Sequence, residues 1–175
     1  MNLYFRLFLL WLRSRRAPRV SLWGEGRTTF RVLPTDLDPL LHMNNARYLA
    51  LLDLGRTDLL FRSGFWAEVT RRGWYPVVTA QTISYKRSLT LWQRFELVTR
   101  VLGFDERHVY MEQEFHRGGK VIARAVVQAR FLRKAGGTVE PPELLEAGGG
   151  DPGHLSLPDW VEPWAAAVRI SHSQA

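Results

Sequence analysis

The 175-residue chain contains no cysteine. Disulfides, thiolate metal sites and a cysteine nucleophile are therefore excluded, and the redox compartment stays undetermined. No apolar run reaches the roughly 20 residues needed to span a bilayer; the most apolar stretch, Met1 to Leu12, is interrupted by Arg6. Walker and nucleophile-elbow motifs are missing too: there is no Walker loop and no G-x-S-x-G. His108, His116, His154 and His172 show no metal-ligand spacing, so no metal site is expected. Acidic residues are in the minority, with 17 Asp plus Glu against 24 Lys plus Arg, a net charge of +7. That balance suits nucleic acid, anionic lipid, an acidic carrier protein or a phosphate-rich ligand without choosing among them. Because an aromatic-basic recognition motif is lacking, no nucleic-acid partner is expected.

What is present is enough for one domain with a real core, since 46% of the residues are apolar. The chain opens with Leu3, Tyr4, Phe5, Leu7, Phe8, Leu9, Leu10, Trp11 and Leu12, followed by Arg13, Arg15, Arg16 and Arg19. A signal peptide places its positive charge before the apolar region, and here the order is reversed. Two readings stay open: an interfacial helix with aromatics inserted and arginines on anionic head groups, or a helix packed on the domain or on a partner subunit. We expect a cytoplasmic protein, membrane-associated in the first of these readings. The composition divides the chain into an N-terminal apolar and basic segment (1–26), a main domain (27–147), and a flexible linker with a C-terminal helix (148–175), the last few residues frayed.

Thr28 to Leu33 is β-branched and aromatic and reads as a first strand. A long apolar helix follows from Asn44 or Asn45, with Ser63-Gly64 as its stop, then a short helix over Phe65 to Arg72 ended by Gly73. Strands are predicted over Val77–Arg87, Arg94–Phe104, Val109–His116 and Val121–Arg133, the last two joined at Gly118-Gly119. A loop over 135–138, a helical turn at 141–146 and a helix over 157–168 complete the chain. One strand, a buried helix and four consecutive antiparallel strands make an α+β fold with the helix covering one face.

Between the first strand and the long helix lies T-D-L-D-P-L-L-H-M-N-N-A-R-Y, Thr35 to Tyr48. Local chemistry supports two readings of it. Asp-x-Asp-Pro before a helix is ordinarily a turn. A carboxylate loop feeding a helix N-terminus also sets an acid or base beside N–H groups that favour developing negative charge.

The run R-V-L-P-T-D-L-D-P-L-L-H-M-N-N-A-R-Y-L, Arg31 to Leu49, resembles the D-x-D-x-x-G-H-x-N-N-x-x-Y signature of hotdog-fold acyl-CoA thioesterases, the 4-hydroxybenzoyl-CoA thioesterase-like superfamily. Within it the chain is most similar to the thioesterase-superfamily-member-six-like group. Y-K-R-S-L at Tyr85–Leu89, R-V-L-G-F-D at Arg100–Asp105 and E-P-P-E-L at Glu140–Leu144 extend the resemblance over roughly residues 27 to 145. It implies a hotdog fold, an antiparallel sheet wrapped around a long central helix, in a homodimer or homotetramer with sites between subunits. It also implies hydrolysis of a fatty or aromatic acyl thioester of coenzyme A or acyl carrier protein, with no cofactor.

The resemblance assigns roles residue by residue. Asp38 would be nucleophile or general base, and the backbone N–H of His42 or Met43 would meet the thioester oxygen. The His42 imidazole would orient Asp38 or the substrate, or simply hold the loop. Asn44, Asn45 and Tyr48 would cap, pin and border the substrate site. By analogy Lys86 and Arg87, with Arg94 as a third candidate, would bind coenzyme A phosphates; the other reading is a solvated basic face. Asp36 is expected to hold the loop. Asp53 is expected to be buried and ion-paired with Arg56, and it is the reserve catalytic carboxylate. Leu41 stands where the signature has Gly, and side-chained residues avoid the backbone conformations open to Gly; a different loop backbone is therefore expected there.

Overall fold

The structure is a computed structural model that describes residues 3–170. Residues 1–2 and the expected C-terminal fraying at 171–175 lie outside the described residues. In chain order the elements are α1 (Leu3–Ser14), β1 (Gly26–Arg31), a 3-10 turn (Pro34–Asp36), α2 (Asn45–Ser63), α3 (Phe65–Arg71), β2 (Trp74–Tyr85), β3 (Arg94–Phe104), β4 (Val109–Arg117), β5 (Lys120–Arg133), β6 (Thr138–Val139), α4 (Pro141–Ala147) and α5 (Val161–Ala167).

The 19-residue α2 organises the rest. Asn44 caps its start, accepting from the Ala46 N–H at 2.8 Å, and Gly64 ends it in the left-handed conformation at φ 80°. Leu51, Leu52 and Leu59 are fully buried, each stabilising the fold by about 1.5–3 kcal/mol. All main pairings in the sheet around it are antiparallel, in the order β1-β3-β4-β5-β2, with β6 beside β5. Irregularities at Val78/Ala80, Val101/Gly103 and Phe115/His116 bend the strands and raise their twist, so that the sheet can curl around a helix.

α2 lies close against the sheet at Gly55. A Cβ there would lie 2.6 Å from Leu97 Cδ2 and 2.9 Å from both Gln113 Nε2 and Thr99 Oγ1. Beneath it the Gln113 amide donates to the Leu52 carbonyl at 2.9 Å and to Thr99 Oγ1 at 3.0 Å, and its oxygen accepts from buried Arg56 at 2.6 Å. Gln113, Thr99 and Arg56, brought inside together, thus partner one another or α2, as burial demands.

The four later strands do not pair in sequence order. β2 skips β3 and lies beside β5, which leaves β2 at the edge of the sheet. This explains why β2 begins at Trp74 rather than at Val77: an edge strand tolerates Pro76, whose missing N–H can face outward. The C-terminal helix is shorter than expected, because residues 158–160 form a turn closed by Val161 N–H on the Pro158 carbonyl. It packs on the sheet through Val161 and Ala165, clustered with Leu102, Tyr110 and Val126. α1 lies against α2. Its Leu10 is buried, while Phe5, Phe8 and Leu12 remain exposed. Among the described residues no helix is long and apolar enough to cross a membrane.

Candidate active site

The segment from Val32 to Asn44 is held from both ends. Asp36 is buried at 2% exposure. Its Oδ2 accepts from the Leu33 N–H at 2.9 Å and from the Arg6 guanidinium of α1, and its carbonyl accepts from the Asn44 N–H at 2.8 Å. Asp36 therefore ties together the start of the loop, the cap of α2 and the N-terminal helix. Arg6, the charge that interrupts the apolar N-terminal run, is the cation that this buried carboxylate requires.

Asp38 is half-buried. Its Oδ1 accepts from two backbone N–H groups, Leu40 at 2.9 Å and His42 at 3.1 Å. Around it the Asp38 N–H donates to the His42 carbonyl at 2.8 Å, and the Leu41 N–H to the Asp38 carbonyl at 3.0 Å. Among the described residues no hydrogen bond is made to Asp38 Oδ2. The carboxylate is thus pinned through one oxygen and open at the other.

Leu41 takes φ 61°, the left-handed region that Gly enters at no steric cost. The turn thus takes a Gly-type conformation and carries a leucine in it. The difference from the signature is an added side chain, 69% exposed.

The N–H groups of His42 and Met43 are both engaged, with Asp38 Oδ1 and with the Leu89 carbonyl at 2.7 Å respectively. For either to meet a thioester oxygen it must leave its present acceptor. The His42 side chain is exposed, and Asn45 is exposed on the first turn of α2. Tyr48 is 1% exposed and stacks edge-on with Tyr85 and Phe115. Its hydroxyl accepts from the Leu89 N–H at 3.2 Å, and burial pushes its pKa up. Tyr48 therefore joins the core to the loop from inside.

Leu89 was not singled out from the sequence, yet both its backbone groups serve the site. An antiparallel bridge between His42 and Thr90 continues the contact and sets residues 40–41 beside 91–92. Leu40, Leu41, Leu91 and Trp92 are all exposed there, and Trp92 also has a positive φ of 63°. Lys86 and Arg87 start this same segment. Their N–H groups donate to the Ile122 carbonyl at 2.8 and 3.1 Å, and their side chains are exposed. The structure thus brings Asp38, His42, Met43, Asn44 and the 86–92 segment together.

Asp53 lies elsewhere on α2. It is ion-paired with Arg56 as expected, but the buried member is Arg56; the Asp53 side chain is 60% exposed. The expected burial of Asp53 is corrected, because its position on the helix faces away from the sheet. Arg56 is held below the usual guanidinium range by desolvation, with Asp53 opposing the shift. Asp58 is a further buried carboxylate, accepting from Thr28 Oγ1 at 2.8 Å and Arg62 at 3.3 Å, and it fastens α2 to β1.

Comparison with known proteins agrees with the fold. Residues 32–161 match the family described as the thioesterase-like superfamily. The chain belongs to this superfamily. Protein THEM6 of Xenopus laevis is 42% identical to it over 113 residues, covering 64% of this chain and 55% of that protein; the chain thus spans about half the length of this relative. The probable thioesterase YbaW of Escherichia coli superposes with a TM-score of 0.65 at 26% identity, over 69% of this chain and 94% of that one. A 1,4-dihydroxy-2-naphthoyl-CoA thioesterase from Synechocystis superposes with a TM-score of 0.60 at 11% identity, over 71% and 95%. The superfamily member described here has their hotdog fold, α+β, with the curled antiparallel sheet around α2.

Proposed function

We propose that this superfamily member hydrolyses a fatty or aromatic acyl thioester, with Asp38 as nucleophile or general base. The observation that carries the reading is the Asp38 carboxylate, oriented through Oδ1 by two N–H groups and open at Oδ2, beside the N-terminus of a 19-residue helix. In the step, Oδ2 takes a proton from the water that attacks the thioester carbon, or it attacks that carbon itself, giving a mixed anhydride that water then hydrolyses to free the acid and restore Asp38. The C–S bond breaks, and the thiolate leaves and is protonated. The helix N-terminus favours the negative charge that develops on the carbonyl oxygen.

Coenzyme A is the carrier favoured over acyl carrier protein. The Synechocystis neighbour is named for a coenzyme A thioester, and exposed Lys86 and Arg87 offer charge for phosphates at the far end of the same segment. We place the working site in a homodimer or homotetramer. The 12-residue β2 is an edge strand with Tyr75, Val78 and Tyr85 exposed, and an unpaired edge of that length is a template for a second copy. A cytoplasmic location with peripheral membrane contact through residues 1–19 belongs to the same reading. So does the division into segments 1–26, 27–147 and 148–175.

The test is thiol release from a panel of acyl-CoA chain lengths by wild type and Asp38→Asn. The near-isosteric change should leave folding intact and slow turnover by ~100-fold or more, the low end for losing a general base. Full activity in Asp38→Asn would move the chemistry to Asp53. Binding without hydrolysis by either protein would favour a non-catalytic acyl-CoA or lipid binder. The exposed Leu41 side chain in place of Gly is the feature that points that way.

A further inference from the structure

A groove of about 490 Å³ runs between α1 and the β1/β3 edge of the sheet. Three arginines from three elements meet in it: Arg13 from α1, Arg31 from β1 and Arg94 from β3. Leu9, Phe30 and Leu33 form its apolar lining. Arg31 and Arg94 are register partners, directly opposite each other on antiparallel strands. Like charges at such positions repel. Arg27, on the same strand, shows the usual remedy, with Glu96 and Glu25 each at 2.7 Å. Arg13, Arg31 and Arg94 have no carboxylate partner among the described residues. Arg6, which also borders the groove, already holds Asp36. The arrangement is a cationic cleft over an apolar floor, with charge that an anion would neutralise.

The helix that forms one wall presents Phe5, Phe8 and Leu12 to solvent, about half exposed. Arg15 lies over the Trp11 ring at 3.6 Å, and Arg16 and Arg19 follow. Exposed aromatics on a helix flanked by arginines suit the head-group boundary of a bilayer.

We propose that the α1 edge docks on an anionic phospholipid surface, with Phe5 and Phe8 entering the head-group layer. One lipid phosphate is taken by Arg13, Arg31 and Arg94. This deepens the peripheral membrane contact proposed above and is independent of thioester hydrolysis, so either can fail without the other.

The test is co-sedimentation of the full chain with vesicles of phosphatidylglycerol and phosphatidylcholine, against phosphatidylcholine alone. Wild type should partition to the anionic vesicles. Arg31→Gln/Arg94→Gln should lower partitioning ~30-fold, at about 5-fold per basic residue near the surface. Phe5→Ser/Phe8→Ser should lower it as well, whereas Arg107→Gln/Lys134→Gln, exposed at the opposite end of the sheet, should not. All these side chains are at the surface, and circular dichroism checks that each variant folds. Any of these results would overturn the proposal: wild type failing to bind anionic vesicles, the two basic pairs behaving alike, or release of bound wild type by desulfo-coenzyme A. The last would give the cleft to the coenzyme. Self-association lost in Phe5→Ser/Phe8→Ser without vesicle binding would assign the face to a second copy and also overturn it.

Discussion

Leu41 shows how a single residue can be both out of place and accommodated. Its left-handed φ costs a side-chained residue about 1–2 kcal/mol, and the loop imposes it through the bonds that close residues 38–42. Leu41→Gly should remove that strain while adding the entropy of Gly, about 0.5–1 kcal/mol. Urea denaturation should therefore find it neutral or stabilised by up to about 1 kcal/mol. Leu41→Val should be destabilised, since β-branched residues fit this region worst. A loss of stability in Leu41→Gly would mean that the exposed side chain has a packing role. The same loop makes Asp38 testable alone: Asp38→Asn retains an oxygen to accept from Leu40 and His42, so lost activity would report charge rather than loop collapse.

Among the elements, α2 and α1 carry the most specific consequences. Gly55→Ala improves helix propensity by up to about 1 kcal/mol, yet its Cβ would press on Leu97, Thr99 and Gln113. Overpacking of this kind costs about 1–3 kcal/mol, so thermal unfolding should show net destabilisation. The Arg6–Asp36 pair joins α1 to the signature loop with side-chain exposures of 10% and 3%. Arg6→Met strands a buried carboxylate and should cost about 3 kcal/mol. Adding Asp36→Asn should recover part of that loss, and a double-mutant cycle reads the coupling. Additive effects would show that α1 and the loop are not energetically joined. Of this set, the Asp36 loop role, the N-cap and the glycine stop were legible in the sequence, because each is a local motif. Arg6 as partner was not, although a lone cation in an apolar run is a signal that one buried acid must exist elsewhere.

For the molecule as a whole, charge and assembly set the expectations. Side-chain hydrogen bonds from Arg71 and Arg72 lower the Glu68 carboxyl to about 2, and Arg133 holds Glu143 below its usual range. Carboxylates with depressed folded-state pKa values add stability that is present above the unfolded value near 4.5. It is lost as pH falls through the folded value. The melting temperature should therefore decline between pH 4.5 and about 2, and Glu68→Gln should flatten part of that decline. A curve unchanged by Glu68→Gln would show these surface pairs to be energetically idle. The edge position of β2 and the exposed rim of Leu40, Leu41, Leu91 and Trp92 predict a sedimentation mass at least twice the chain's 20.2 kDa. A monomer at micromolar concentration would oppose the proposed assembly.

By itself the sequence determined the elements and the motif. Strand alternation, the Asn44 cap, the Gly64 stop and the turn at Asp38 depend on residues within a few positions of one another, and so they can be read along the chain. Tertiary structure decided the partnerships. Arg6 reaches Asp36 across 30 positions and Tyr48 reaches Leu89 across 41, and β2 passes over β3 to lie beside β5. It also decided that Arg56 is buried and Asp53 is not, and that Leu41 adopts a backbone meant for glycine. The physical reason is common to these cases. They follow from how the sheet curls around α2 and which groups that curl brings within hydrogen-bonding reach, and spacing along the chain does not carry that distance.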